Sequence, residues 1–266
     1  MNPPVSAQNM STLFDLRGSV ALVTGAAGGL GSAVSEALAC HGARVIVSDA
    51  DLARSAAVVA ELRAQGYEAH ASPCDLRDAG SMARLAKEAM GIWGRIDTLV
   101  CAAGIQGPAG PIGSTTSADW DAVMGINLAS PLALTTHLIP QMAQRGSGCV
   151  VLMSSIAGLR GNRAIGLYAL SKAALAQLAR NLAVEWGPSG VRVSALSPGL
   201  FRTPLAQDML ANDSLMQRRL AATPLRRVGE PHEVAGAVVF LASRAGAFIT
   251  GHNLVIDGGT TISDGN

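Results

Sequence analysis

Short runs of β-branched and aliphatic residues alternate along this chain with longer segments rich in Ala and Leu at helical spacing. That alternation is the pattern of parallel strands joined by crossover helices. It predicts strands over residues 19–24, Arg44–Ser48, 68–72, 97–101, 149–153, 191–196 and Asn253–Ile256. Helices are predicted from a glycine-rich turn after Thr24 to about His41-Gly42, from beyond the second strand to Gly66, across Ser117–Gln144, and across 167–186. Seven parallel-type strands separated by helices imply an α/β fold, a doubly wound seven-stranded parallel sheet with right-handed crossovers placing helices on both faces. The stretch 198–231 interrupts the pattern with prolines, glycines and one short amphipathic piece at 209–220. It is expected to insert over the carboxyl ends of the strands as a substrate lid around 200–230.

A length of 266 residues suits one large domain. The expected organisation is a flexible tail over 1–14 and a single domain over 15–266. Charged residues are 15% of the chain and the net charge is +1, which argues against disorder, a nucleic-acid footprint or electrostatic attraction to a membrane. Small molecules and further copies of the same chain are the expected partners. No apolar segment is expected to reach the roughly 18 uncharged residues that span a bilayer. Residues 1–12 lack the basic-then-apolar order of a signal peptide, so a cytoplasmic location is expected. Cys40, Cys74, Cys101 and Cys149 form no CxxC or Cys/His cluster, so they are read as free thiols in a reducing compartment, with no metal site.

The run Thr24-Gly25-Ala26-Ala27-Gly28-Gly29-Leu30-Gly31 follows the first strand and opens a helix. Backbone N–H groups and the positive helix terminus there can cradle a pyrophosphate. A glycine-rich run alone equally suits an ordinary turn, and its position is what gives it weight. Asp49 ends the second strand, about 20 residues later, where a carboxylate can accept hydrogen bonds from ribose hydroxyls and repel a 2′-phosphate. A solvated turn residue is the plainer reading of Asp49, and Asp51 is the better candidate to cap the next helix. No Lys or Arg lies within the glycine loop or immediately after Asp49, which favours NAD over NADP.

The chain has two tyrosines and two lysines, and one of each, Tyr168 and Lys172, stand four apart on one predicted helix. That spacing puts them on one face, a turn apart. A phenol with its usual pKa near 10 is a poor base at neutral pH, and a nearby ammonium favours the phenolate. Lysine, on a flexible stem, can also bond a ribose and pass a proton onward, which guanidinium does poorly. Ser155, just past the fifth strand, could meet the phenol and hold a substrate oxygen, although Ser154-Ser155 before Ala157-Gly158 would equally satisfy turn amides. Asn127, between Ile126 and Leu128, needs a hydrogen-bond partner if buried, and a water would serve.

From about Arg17 to Gly259 these motifs together resemble the short-chain dehydrogenases/reductases, in their single-domain, NAD-preferring form. The resemblance implies a Rossmann-type dinucleotide-binding and catalytic domain. Thr24-Gly25 with Gly29, Leu30 and Gly31 looks like the family's coenzyme turn, Asp49 like its NAD-selecting acid, and Asp75-Leu76 like the pair that holds adenine. Asn127, Ser155, Tyr168 and Lys172 fall where the family has its catalytic tetrad. Pro198, Gly199, Leu200 and Thr203 resemble the segment that binds the carboxamide, and Ile256-Asp257-Gly258-Gly259 the usual C-terminal strand ending. One departure is Cys101-Ala102-Ala103-Gly104, where the family commonly has asparagines before Ala-Gly. Ala102 and Gly104 are still expected beside the cofactor, since Gly104 permits close approach.

The resemblance implies that Ser155 and Tyr168 bond the substrate oxygen, that Tyr168 exchanges the proton, and that Lys172 lowers the tyrosine's pKa and binds the nicotinamide ribose. Asn127 would anchor a water leading from Lys172 to solvent. The expected reaction interconverts a secondary alcohol and a ketone with NAD(H). NADPH-dependent reduction of a 3-oxoacyl thioester is the enzymatic alternative, and a non-catalytic dinucleotide sensor the alternative of another class. Family members commonly form tetramers, and the apolar helices at Ser117–Gln144 and 167–186 make a homo-oligomer the expectation here. Ala157, Leu159, Arg160, Arg163, Leu200, Phe201 and Leu205 suggest a largely apolar substrate pocket. One of its arginines could meet an acidic group, although both also suit an exposed loop.

Overall fold

The computed structural model describes Met10 and residues 12–263. Most of the segment expected to be a flexible tail, residues 1–9 and 11, lies outside the described residues. Its last part is tied to the domain: the Leu13 carbonyl accepts from Ala245 N at 3.1 Å, and Leu16 is buried with its N–H on the His41 carbonyl at 2.8 Å.

The strands are β1 (Val20–Thr24), β2 (Arg44–Ser48), β3 (Ala69–Ala71), β4 (Thr98–Cys101), β5 (Gly148–Met153), β6 (Val191–Pro198) and β7 (Asn253–Ile256). They form one parallel sheet in the order β3-β2-β1-β4-β5-β6-β7. Strand side chains point alternately to the two faces, and both faces are apolar. Leu22, Leu99, Leu152 and Val193 pack against α3 (Ala79–Trp93), α5 (Ser130–Gln144) and α6 (Gly166–Trp186). On the other face Val23, Val47, Val100 and Val151 pack against α1 (Gly29–Cys40), α2 (Leu52–Ala64) and α9 (Pro231–Ala242).

The helix stops follow local chemistry. α1 and α2 run out at His41 and Gln65, each followed by a glycine in the left-handed region, Gly42 at φ 96° and Gly66 at φ 87°. Asp51 caps α2 by accepting from Arg54 N at 3.1 Å. The piece expected at 209–220 is two short helices, α7 (Gln207–Leu210) and α8 (Asp213–Ala221), because Asn212 caps a new start by accepting from Leu215 N at 3.0 Å.

Two expectations need correction. The helix predicted across Ser117–Gln144 is α4 (Ser117–Met124) joined to α5 by a π-helical turn at Gly125–Ala129, which presents Asn127 to the interior. The same 28-residue stretch is long and apolar enough to cross a membrane, contrary to the expectation that no segment is. No Asp, Glu, Lys or Arg occurs between Asp121 and Arg145. Its apolar residues serve the core instead: Leu134, Leu138, Ile139 and Met142 are fully buried against the sheet.

Candidate active site

Strand order reverses between β1 and β4, and the carboxyl ends of the strands open there into a cleft of about 520 Å³. The glycine turn forms one wall. Gly25 has φ 66°, and a Cβ on it would lie 2.6 Å from the Ala103 main chain. A Cβ on Gly29 would lie 2.8 Å from Pro204 Cδ, so the segment after β6 sits directly on the turn. Leu30, Gly31, Asp49, Asp75, Leu76, Ala102, Gly104 and Thr203 also line the cleft, as expected from the sequence. Pro198 and Gly199 do not, and Leu200 lines a second cavity.

Asp49 braces the glycine turn, its Oδ2 accepting from Ala27 N at 3.2 Å. Arg54 reaches back from α2, with Nη2 donating to the Ala27 carbonyl at 2.6 Å, and lines the same wall. Arg77 lines it too, paired with Asp75 at 2.8 Å. Both arginines lie outside the glycine loop and away from the residues just after Asp49, so the sequence reading passed over them; only the fold brings them to the cleft. Thr24 Oγ1 and Ser48 Oγ, buried beside it, have no hydrogen-bond partner among the described residues. Unpaired buried hydroxyls and a turn held open by glycines fit a polar, phosphate-bearing group.

Ser155, Tyr168 and Lys172 lie together past the end of β5. Gly158 lets the turn after Ser155 dock flush on α6, since a Cβ there would lie 2.6 Å from Ala173 N. Ser154 Oγ donates to the Lys172 carbonyl at 2.7 Å and fixes the same contact. Ser155 Oγ accepts from Ala157 N at 3.1 Å, so it does satisfy a turn amide, and it lies near enough to the Tyr168 phenol to ease its ionisation. Asn162 orients the start of α6 by accepting from Ala164 N and Ile165 N at 3.0 and 3.1 Å.

Lys172 is buried, and its Nζ donates to the Met153 carbonyl at 2.7 Å. Burial lowers its pKa to about 8, with nearby Cys101 acting in the opposite sense. Burial raises the Tyr168 pKa above its usual value, and the nearby Ser155 hydroxyl lowers it in part. The ammonium lies 5.5 Å from the centre of the phenol ring and spends one of its donors on Met153, and Ser155 eases the phenol's ionisation.

Asn127 is fully buried and both its donors and its oxygen are engaged by protein. Oδ1 accepts from Ile105 N at 2.9 Å, while Nδ2 donates to the Ile105 carbonyl and to Ser171 Oγ, each at 2.9 Å. The amide thus ties the loop after β4 to the helix carrying Tyr168 and Lys172. Gly104 lies under both groups: a Cβ there would be 3.1 Å from Lys172 Nζ and 3.3 Å from Asn127 Oδ1. Cys101, the departure at the end of β4, is buried with its thiol pKa raised to about 12.

A second cavity, of about 340 Å³, lies over the ends of β5, β6 and β7. Ile156, Leu200, Phe201, Ile256, Arg160 and Arg219 are among its lining residues. Arg163 is exposed and lines neither cavity.

A doubly wound sheet with a glycine-lined cleft at its switch point and a Ser/Tyr/Lys cluster beside it defines a dinucleotide-dependent oxidoreductase fold. The chain belongs to the short-chain dehydrogenase/reductase family. A family model described as enoyl-(acyl carrier protein) reductase matches residues 25–261. Human dehydrogenase/reductase SDR family member 4 is 35% identical over 257 residues, 96% of this chain and 92% of that protein. A 7α-hydroxysteroid dehydrogenase, solved with NADH and 7-oxo glycochenodeoxycholic acid, is 33% identical with a TM-score of 0.89, covering 94% of this chain and 96% of that one. A gluconate 5-dehydrogenase from Burkholderia cenocepacia, solved with NADP and tartrate, is 29% identical with a TM-score of 0.90, covering 94% of this chain and 98% of that one. The protein is thus an oxidoreductase of the alcohol/ketone class that acts on small molecules.

Proposed function

We propose that this protein interconverts a secondary alcohol and a ketone with NAD(H), Tyr168 acting as the acid/base. The observation that carries this reading is the placement of Ser155, Tyr168 and a buried Lys172 together past the end of β5, next to Gly104 in the wall of the cleft. Gly25, Gly29, Gly31 and the α1 terminus would hold the pyrophosphate, Asp49 the adenosine ribose, and Asp75-Leu76 the adenine. A bound nicotinamide would take the hydride from the alcohol carbon, or return it to the carbonyl carbon.

Tyr168 takes the alcohol proton as the carbon loses hydride, and returns it to the oxygen in the reverse direction. Ser155 Oγ bonds the same substrate oxygen and the phenol, so it holds both ends of that proton's path. The raised pKa keeps Tyr168 protonated at neutral pH, the form that donates to a carbonyl oxygen, so alcohol oxidation proceeds from the minor phenolate form, whose share grows as pH rises. Lys172, with Nζ donors left after the bond to Met153, would bind the nicotinamide ribose. Asn127 positions this cluster through Ile105 and Ser171. Pro198, Gly199, Leu200 and Thr203 would frame the carboxamide, with 203–223 as the lid: its root rests on Gly29, and residues 200–202 are pinned to Gly229 by Gly229 N to the Leu200 carbonyl at 3.0 Å and Arg202 N to the Gly229 carbonyl at 2.9 Å.

NADP use, and with it the 3-oxoacyl thioester reading, draws support from Arg54 and Arg77 on the adenosine wall. Both guanidiniums are already engaged, Arg54 with the Ala27 carbonyl and Arg77 with Asp75, and Asp49 would face the 2′-phosphate. NAD is the better fit. Absorbance of reduced nicotinamide, followed with NAD⁺ and NADP⁺ against secondary alcohols, tests the reading. Tyr168→Phe is expected to bind NADH normally and lose turnover by roughly 10²–10⁴-fold; undiminished turnover would refute it.

A further inference from the structure

The second cavity is lined by three arginines, Arg160, Arg219 and Arg227, and two carboxylates, Glu233 and Asp257, an excess of one positive charge. Of its charged lining groups, Arg227 is bonded to Glu233 through both oxygens, at 2.5 and 2.8 Å. The Asp257 carboxylate accepts from Gly259 N at 2.9 Å and from Thr261 N at 2.7 Å. Arg160 and Arg219 remain, and neither side chain has a hydrogen bond or an ion pair among the described residues. Arg219 is half-buried on α8 in the lid, and Arg160 is exposed at the rim on the turn after β5. They are close enough that Arg160 and burial together lower the Arg219 pKa. An anion between them would remove that repulsion and satisfy planar donor forks suited to a carboxylate.

The remainder of the lining is apolar, with Ile156, Leu200, Phe201, Leu220 and Ile256. Ile156 follows Ser155 directly, so a molecule whose oxygen rests on Ser155 extends naturally into this space. We propose that Arg160 and Arg219 form a carboxylate subsite, and that the substrate is an alcohol or ketone with an apolar body ending in a carboxylate. The inference rests on the dehydrogenase reading above and deepens it. Since Arg219 belongs to the lid and Arg160 to the turn carrying Ser155, a bound carboxylate also bridges the two, so the acid end of the substrate helps close the lid.

The test compares secondary hydroxyalkanoates of varied chain length with their matched carboxamides, in the native protein, in Arg160→Met, in Arg219→Met and in the double variant. The native protein should favour the carboxylate in kcat/KM by roughly ten- to a hundredfold, mainly through KM. That ratio should fall in each single variant, approach one in the double variant, and recover in part in Arg219→Lys. A native ratio near one, or a preference surviving in the double variant, would overturn the subsite. If neither member of any pair is turned over, the dehydrogenase reading is what fails. Calorimetry on the NADH-saturated protein then decides the subsite: hexanoate taken up in preference to hexanamide, and lost in the double variant, supports it, and equal or no uptake overturns it.

Discussion

Lys172 Nζ donates to the carbonyl of Met153, the last residue of β5, at 2.7 Å. A buried ammonium is held on a main-chain acceptor with no carboxylate beside it, so burial dominates and the pKa falls to about 8. The unfolded chain keeps a lysine near 10.4, so between about pH 8 and 10 it binds more protons at this site than the folded chain. The cost of burying the charge is therefore fully present below pH 8 and disappears as pH rises toward 10. Relative to the native protein, Lys172→Met should gain stability as pH is lowered from 10 to 7, in urea titrations run across that range. Using the difference between the two proteins cancels the buried cysteines and Tyr168, whose raised pKa values act in the opposite sense. A difference flat in pH would show that Lys172 titrates normally.

Asn127 is the brace between the loop after β4 and α6. Replacing it with Leu leaves the Ile105 N–H and carbonyl unpaired in the interior, each worth about 1–3 kcal/mol. Asn127→Leu is expected to lose several kcal/mol in chemical denaturation, while Ser171→Ala loses less. A double-mutant cycle should show coupling of about 1 kcal/mol between them. Additive losses would mean that the Nδ2–Oγ bond contributes nothing.

The adenosine wall makes cofactor choice a contest between one carboxylate and two engaged arginines. Asp49→Ser should raise kcat/KM with NADP⁺ relative to NAD⁺ by at least about tenfold, since it removes the charge facing a 2′-phosphate. Adding Arg54→Leu should reverse part of that gain. If Asp49→Ser leaves the ratio unchanged, the carboxylate does not select the cofactor.

Trp120 and Leu132, on α4 and α5, and Leu170 and Val184, on α6, are exposed, Val184 at 81%. We expect these helices to pair between copies of the chain, in a homotetramer. Light scattering should give a mass above that of the monomer, and Leu132→Glu with Val184→Glu should reduce it; a native monomer would end the expectation.

The strand–helix alternation, the glycine turn, the capping Asp51 and the Tyr168/Lys172 spacing were all legible in the chain, because each is local: a period of two or 3.6 residues, or neighbours within one turn. The uncharged run between Asp121 and Arg145 was legible too and was passed over; only packing against the sheet decides that its leucines serve the core. Other features exist only after the crossovers close. Asn127 finds Ile105 across 22 residues and Ser171 across 44, Arg54 returns to Ala27 across 27, and Arg219 comes beside Arg160 through the lid. Burial then sets the chemistry, lowering Lys172 and raising Tyr168. The sequence by itself determined the sheet, the glycine turn and the Tyr168/Lys172 pair on one helix face. Which partners those side chains find, how burial shifts their pKa values and which charges line the second cavity were decided by the tertiary structure, because desolvation and contacts between distant residues have no local period to read.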